Sequence, residues 1–133
     1  MRMDGSSGKT GRTLIVIPAY NEAATIGAVL ESLRAIDADC DAAVVDDGST
    51  DGTAAVVGQY PEAILLRLPF NLGIGGAVQT GFRFAERAGY AAVVQCDADG
   101  QHPVASIPLL LEKLRIGTAD VIIGSRYVAD TAY

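Results

Sequence analysis

Asp97-Ala98-Asp99 sets two carboxylates one residue apart, directly after the apolar run Ala91 to Gln95. Two acids so spaced in a turn can aim at one hard cation, and Gln101 adds a neutral oxygen. Mg²⁺ and Mn²⁺ prefer such oxygen ligands, taking one or two carboxylates and filling the remaining positions with substrate phosphates. Asp and Gly are also ordinary turn residues, and these acids could instead cap the helix that follows. Their place directly after a buried strand, beside other acidic strand ends, favours the metal.

A second acidic cluster is Asp46-Asp47-Gly48-Ser49-Thr50-Asp51. Ser49 or Asp51 can cap a helix and Gly48 permits a turn. Capping needs one such group, and three carboxylates in six residues repel one another. The extra acids are therefore expected to accept hydrogen bonds from a ligand, such as a base N–H or a ribose hydroxyl. Tyr20, in Pro18-Ala19-Tyr20-Asn21-Glu22, offers an aromatic face to a base, although Tyr also serves as core filler. Gly73-Ile74-Gly75-Gly76 opens a helix whose free N–H groups could meet phosphate. It is not the dinucleotide fingerprint, since Val78 stands where the third glycine belongs, and close helix–sheet packing is the expected role. His102 reads as a solvated loop residue, with Phe82 and Phe84 at the core and its edge.

These clusters need a scaffold that brings them together. Leu14 to Ile17, Ala42 to Val45, Ile64 to Leu68, Ala91 to Gln95 and Val121 to Ile123 are short apolar runs expected to be strands. Between them lie helix-period segments. Ile26, Val29, Leu30 and Leu33 share one face, and a second helix begins near Ser49 or Asp51 and runs toward Gln59. A third spans about Gly75 to Ala88, burying Val78, Phe82 and Ala85. The last starts at Pro103, with Ile107, Leu110, Leu111 and Leu114 on one side. Alternation of fully apolar strands with helices predicts βαβ units and a mainly parallel sheet covered on both faces. In such sheets ligands bind beyond the carboxyl ends of the strands, where Glu22, Asp46, Asp47, Asp51, Asp97 and Asp99 all fall.

The chain has 133 residues, 50% hydrophobic and 20% charged, which suits one domain and excludes disorder. Its net charge of −6 argues against a nucleic-acid partner, since such binding runs on Lys and Arg. No apolar run approaches the roughly 20 residues of a membrane-spanning helix. Cys40 and Cys96 have no zinc spacing and read as small buried thiols on strands, with a reducing cytoplasm as the default location. Residues 1–12 read as a flexible tail and 13–133 as the domain. Within the tail, Gly8-Lys9-Thr10 imitates the end of a phosphate-binding loop. It lacks both the preceding strand and the first glycine, whose place is taken by Met3.

Taken in order, Ile17-Pro18-Ala19-Tyr20-Asn21-Glu22, Val45 to Asp51, Asn71-Leu72-Gly73, Asp97 to Gln101 and Gly124-Ser125-Arg126-Tyr127 resemble family 2 glycosyltransferases. That group includes the dolichol- and polyprenyl-phosphate sugar synthases, and the likeness spans roughly Thr13 to Tyr127. It implies a GT-A fold, a Rossmann-like α/β/α sandwich. It also implies an inverting transfer from a GDP- or UDP-sugar to an acceptor such as a polyprenyl phosphate, assisted by Mg²⁺ or Mn²⁺. By this resemblance Pro18, Tyr20, Asn21, Glu22, Val45 and Asp47 line the nucleotide pocket, and Asp97, Ala98 and Asp99 lie against ribose and diphosphate. Asp99 and Gln101 match metal ligands, with Asp97 acting directly or through water. Arg126 matches an arginine that approaches a donor or acceptor phosphate, and with Asp97 and Asp99 makes up the catalytic set.

Some members carry a basic residue where this chain has Ile74, so no cation for the diphosphate is expected there. Catalytic domains of the family also run well beyond this length, and their later segment supplies acceptor contacts and any base. Two other readings stay open. One is a fragment that holds metal and nucleotide without turnover. The other is a sugar-phosphate nucleotidyltransferase, disfavoured because strand one leads to Pro18 to Glu22 and not to a Gly-rich basic loop. Self-association into a homo-oligomer stays open too.

Overall fold

The computed structural model describes residues 11–36 and 39–125. Its sheet is built from β1 (Thr13–Ala19), β2 (Cys40–Asp46), β3 (Ile64–Arg67) and β4 (Ala92–Gln95). All pairings are parallel, in the order β3-β2-β1-β4. The helices are α1 (Ile26–Leu33), α2 (Thr53–Val57), α3 (Ile74–Ala88) and α4 (Ile107–Arg115), the last entered through a 3₁₀ turn at Val104–Ser106.

Both faces of the sheet are covered, as fully apolar strands require. Alternate residues of β1 serve opposite layers. Ile15 and Ile17 pack with Ile26, Val29, Leu30 and Leu33 of α1, Val57 of α2 and Ile107, Leu111 and Leu114 of α4. Leu14 and Val16 face α3, which buries Ala77 and Ala85. Each large apolar side chain of β1 is at most 1% exposed, and such burial contributes roughly 1.5–3 kcal/mol apiece. The buried stripe of α3 is Ala77, Gly81 and Ala85, not Val78, Phe82 and Ala85 as the periodicity suggests. The reason is proximity. A Cβ on Gly81 would stand 2.3 Å from Cγ1 of Val16, so the helix axis lies too close to β1 for a larger residue there.

Several boundaries depart from expectation. α2 starts at Thr53, later than Ser49 or Asp51, because those residues are engaged in the turn before it. Leu110 is only half-buried beside its buried neighbours on α4. Val121 to Ile123 is not assigned as a strand: residues 121–125 join no ladder among the described residues, and Val121 and Ile123 are 62% and 84% exposed. An extended segment becomes a strand only when a neighbour takes up its N–H and C=O groups, and only Ile122 here reaches the core. Arg12, the last residue of the segment read as tail, is tied to the sheet. Its guanidinium pairs with Asp41, which also accepts from the hydroxyl of the fully buried Tyr90 at 2.7 Å. Burial, reinforced by that carboxylate, pushes the Tyr90 phenol well up. Residues 1–10 lie outside the described residues. Cys96 is buried just past β4 and Cys40 half-buried at the start of β2; neither is in a disulfide.

The switch in strand order between β1 and β4 matters most for function. Ala91 and Cys96 donate to the carbonyls of Arg12 and Val16, whereas Asp47 donates to the carbonyl of Ala19. The backbone N–H and C=O groups of even-numbered β1 residues thus point toward β4 and those of odd ones toward β2. The β4 register ends at Val16↔Gln95, and β1 runs on to Ala19 paired on one side only. Pro18 falls on the side that β4 has left, where its missing N–H leaves no orphan donor.

Candidate nucleotide and metal site

The parting of β1 from β4 opens a cavity of about 280 Å³. Pro18, Tyr20 and Glu22 line it from the end of β1, and Asp47 from the end of β2. Asn71, Gly73, Ile74 and Ala77 form the wall at the start of α3, and Asp97, Ala98 and Asp99 the wall after β4. Four carboxylates therefore face one recess whose described lining includes no Lys or Arg.

The loop after β1 is fixed by its neighbour after β2. Asn21 adopts a left-handed backbone (φ 54°), a conformation Asn tolerates better than most residues. Its Oδ1 accepts from the N–H groups of Thr50 and Asp51 at 2.8 and 3.2 Å, and its own N–H donates to Ser49 Oγ at 2.9 Å. Glu22 N–H donates to Thr53 Oγ1, and Ala23 N–H to Asp51 Oδ2. Asn21 thus turns away from the cavity and clasps two loops, while Tyr20 and Glu22 are left facing it.

The second acidic cluster works inward. Asp46, 2% exposed, accepts from Ser49 N–H and lies 3.7 Å from Arg67 Nε. Asp51 accepts from the N–H and hydroxyl of Thr53, and the hydroxyl bond is the chief cause holding its carboxyl below the usual range. Asp47, 3% exposed, accepts from Leu72 N–H at 2.7 Å and Gly73 N–H at 2.9 Å, one on each oxygen. Each of these acids accepts from the protein's own backbone, and Asp47 also lines the cavity. Gly48 (φ 72°) permits this approach: a Cβ there would come within 2.7 Å of the backbone of Phe70 and Asn71.

After β4, the Asp97 N–H donates to His102 Nδ1 at 3.2 Å, and His102 Nε2 lies 3.2 Å from Asp97 Oδ2. His102 is the exposed loop residue expected, and it also partners the acidic turn. Asp99 Oδ1 accepts from Gln101 N–H, while the Gln101 side chain does not line the cavity. Val45 is fully buried in the core, so it can bear on the pocket only through its backbone or its neighbours. Arg126 lies outside the described residues. Burial, with lesser help from Asp97 and Asp99, pushes the Cys96 thiol up to about 11 and keeps it neutral. Sequence reasoning missed Thr25, whose hydroxyl reaches the carbonyl of Ala98. A threonine ahead of an apolar helical period looks like an ordinary cap.

Residues 14–132 match the family model described as glycosyl transferase family 2. The chain belongs to this family. An undecaprenyl-phosphate mannosyltransferase of Micrococcus luteus is 40% identical over 121 residues, covering 88% of this chain and 49% of the relative. A polyprenol monophosphomannose synthase of Mycolicibacterium smegmatis is 36% identical, covering 90% and 46%. The chain spans about half the length of the curated relatives it matches. Among solved structures, a Pyrobaculum calidifontis mannosyltransferase in complex with GDP-Man and Mn²⁺ is similar at TM-score 0.56 and 28% identity. It covers 74% of this chain and 31% of that one. Glucosyl-3-phosphoglycerate synthase from Mycobacterium tuberculosis with UDP gives 0.65 and 29%, covering 80% and 41%. The family 2 chain thus has the GT-A fold of glycosyltransferases, with its parallel sheet between helical layers.

Proposed function

We propose that this chain is the donor-binding half of a metal-dependent, inverting glycosyltransferase that moves a sugar from a GDP- or UDP-sugar to a polyprenyl phosphate. The observation that carries the reading is the recess at the strand-order switch, with four carboxylates and no described basic residue among its lining. Such a recess repels a diphosphate unless a divalent cation lies between them. The names of the relatives support the acceptor, and the ligands of the neighbours support a nucleotide donor.

The residues present suit a hard cation. Asp97 and Asp99 offer carboxylate oxygens from one turn into the recess, and Gln101, outside its lining, would have to turn inward to add a neutral oxygen. Mg²⁺ or Mn²⁺ held by one or two carboxylates would fill its remaining positions with phosphate and water. When bound, the ion supplies Lewis-acid stabilisation of the leaving diphosphate. Tyr20, 46% exposed, presents its ring to a base, and Pro18 and Glu22 bound the same side. Asp47 holds the loop that forms the opposite wall, and Ala98 offers backbone between the two acids. Arg126 meets a phosphate of donor or acceptor. A lipid phosphate, already ionised near neutral pH, needs no carboxylate base: its oxygen attacks the anomeric carbon in line as the bond to the nucleoside diphosphate breaks, the diphosphate leaves, and the configuration inverts.

Calorimetry with GDP-mannose and UDP-glucose, each with and without Mn²⁺, tests the site. At least one donor binds only with metal, and Asp99→Ala abolishes that binding. Metal-independent binding that ignores Asp99→Ala would overturn the assignment. A transfer assay on a polyprenyl phosphate beside it separates turnover from binding alone, a second reading favoured by the chain's half-length coverage of its relatives.

A further inference from the structure

We infer that Thr25 is a positioning residue for the Asp97–Asp99 turn, tying the metal-facing acids to the start of α1. The inference rests on the donor-site reading above. Thr25 stands at the N-cap of α1, where a threonine hydroxyl ordinarily accepts a hydrogen bond from the first turn of the helix. It makes no such bond. Its hydroxyl donates instead across the fold to the carbonyl of Ala98 at 2.7 Å, with Glu22 Oε2 2.9 Å away as a competing acceptor. One proton therefore faces three acceptors, Ala98 O on one wall of the recess and, on the other, Glu22 Oε2 and the more distant Glu22 O at 3.4 Å.

Ala98 is 3% exposed, so its carbonyl has little water to turn to if the hydroxyl is lost. That carbonyl sits between the two candidate ligands, and its direction sets how the flanking Asp97 and Asp99 project. His102 holds the turn from the Asp97 side, and Thr25 holds its middle. Thr25 itself does not line the cavity, so its effect is exerted through the turn.

Thr25→Val removes the hydroxyl at nearly constant shape, and Thr25→Ser retains it. Partners that orient metal ligands are typically worth 10–100-fold in metal affinity, so Thr25→Val should weaken Mn²⁺-dependent binding of GDP or UDP by about that factor. Thr25→Ser should restore most of it, and amide exchange in β2 and α3, away from the turn, should barely move. In ligand-free protein, amide exchange at residues 97–101 should quicken in Thr25→Val alone. Unchanged Mn²⁺-dependent affinity in Thr25→Val overturns the inference, as does unchanged exchange of those amides. Exchange that quickens equally in β2 and α3 also overturns it, since general destabilisation then suffices. If the unsubstituted chain binds neither nucleotide with Mn²⁺, the donor-site reading itself falls.

Discussion

At the scale of single residues, the site is held by side chains that give their polar atoms to backbone. Asp47 is the clearest case, with both carboxylate oxygens on the N–H groups that begin the α3 wall. Hydrogen bonds to a charged group contribute about 1.5–3 kcal/mol, so Asp47→Ala should lower stability by that order in a urea titration. The Leu72 and Gly73 amides should exchange faster, and Asp47→Asn, which keeps one acceptor, should fall between. Exchange at the two amides identical to that of the parent chain would show that the loop holds itself. The sequence makes Asp47 conspicuous but leaves its partner invisible, because the loop it grips lies 25 residues further on. The acidic residues were legible as a cluster. Which acids face a ligand and which face the backbone depends on turn geometry that residue types do not encode.

At the scale of elements, apolar runs and helical period located four strands and four helices, because burial on both faces writes itself directly into composition. Two features escaped. Val121 to Ile123 has a strand's composition without a ladder partner among the described residues, and composition cannot report a neighbour. The close seat of α3 on β1 escaped as well, since a glycine within a helical period looks like a weakness. Gly81→Ala tests the second point, because two effects oppose each other. Alanine favours a helix interior by about 1 kcal/mol over glycine. The new methyl would stand 2.3 Å from a fully buried, β-branched Val16, and overpacking of that kind costs about 1–3 kcal/mol. Packing should win, giving a net loss of about 1 kcal/mol in denaturant unfolding. A variant more stable than the parent would show that α3 can lift from the sheet freely.

At the scale of the whole molecule, the −6 charge is concentrated partly at one end of the sheet, and the cation proposed there would offset it. The recess of about 280 Å³ is at the lower edge of the roughly 300–1,000 Å³ that buries a small ligand. It can enclose only part of a nucleotide sugar, in keeping with the half-length coverage of the relatives. This chain should therefore bind Mn²⁺–GDP or Mn²⁺–UDP more weakly than a full-length relative does in the same calorimeter. Equal affinity would mean that the described recess already holds every donor contact.

The early parting of β4 from β1 bears on how a ligand arrives. No ladder bond joins the two strands beyond Val16 and Cys96, and Pro18 offers no N–H on that side. Nothing in the sheet has to break for a nucleotide to enter, so entry is an encounter and not a wait for opening. The observed association rate in stopped-flow mixing should rise linearly with nucleotide concentration at fixed Mn²⁺. A plateau at high concentration would reveal a gate that this sheet, by its strand lengths, has no need to carry.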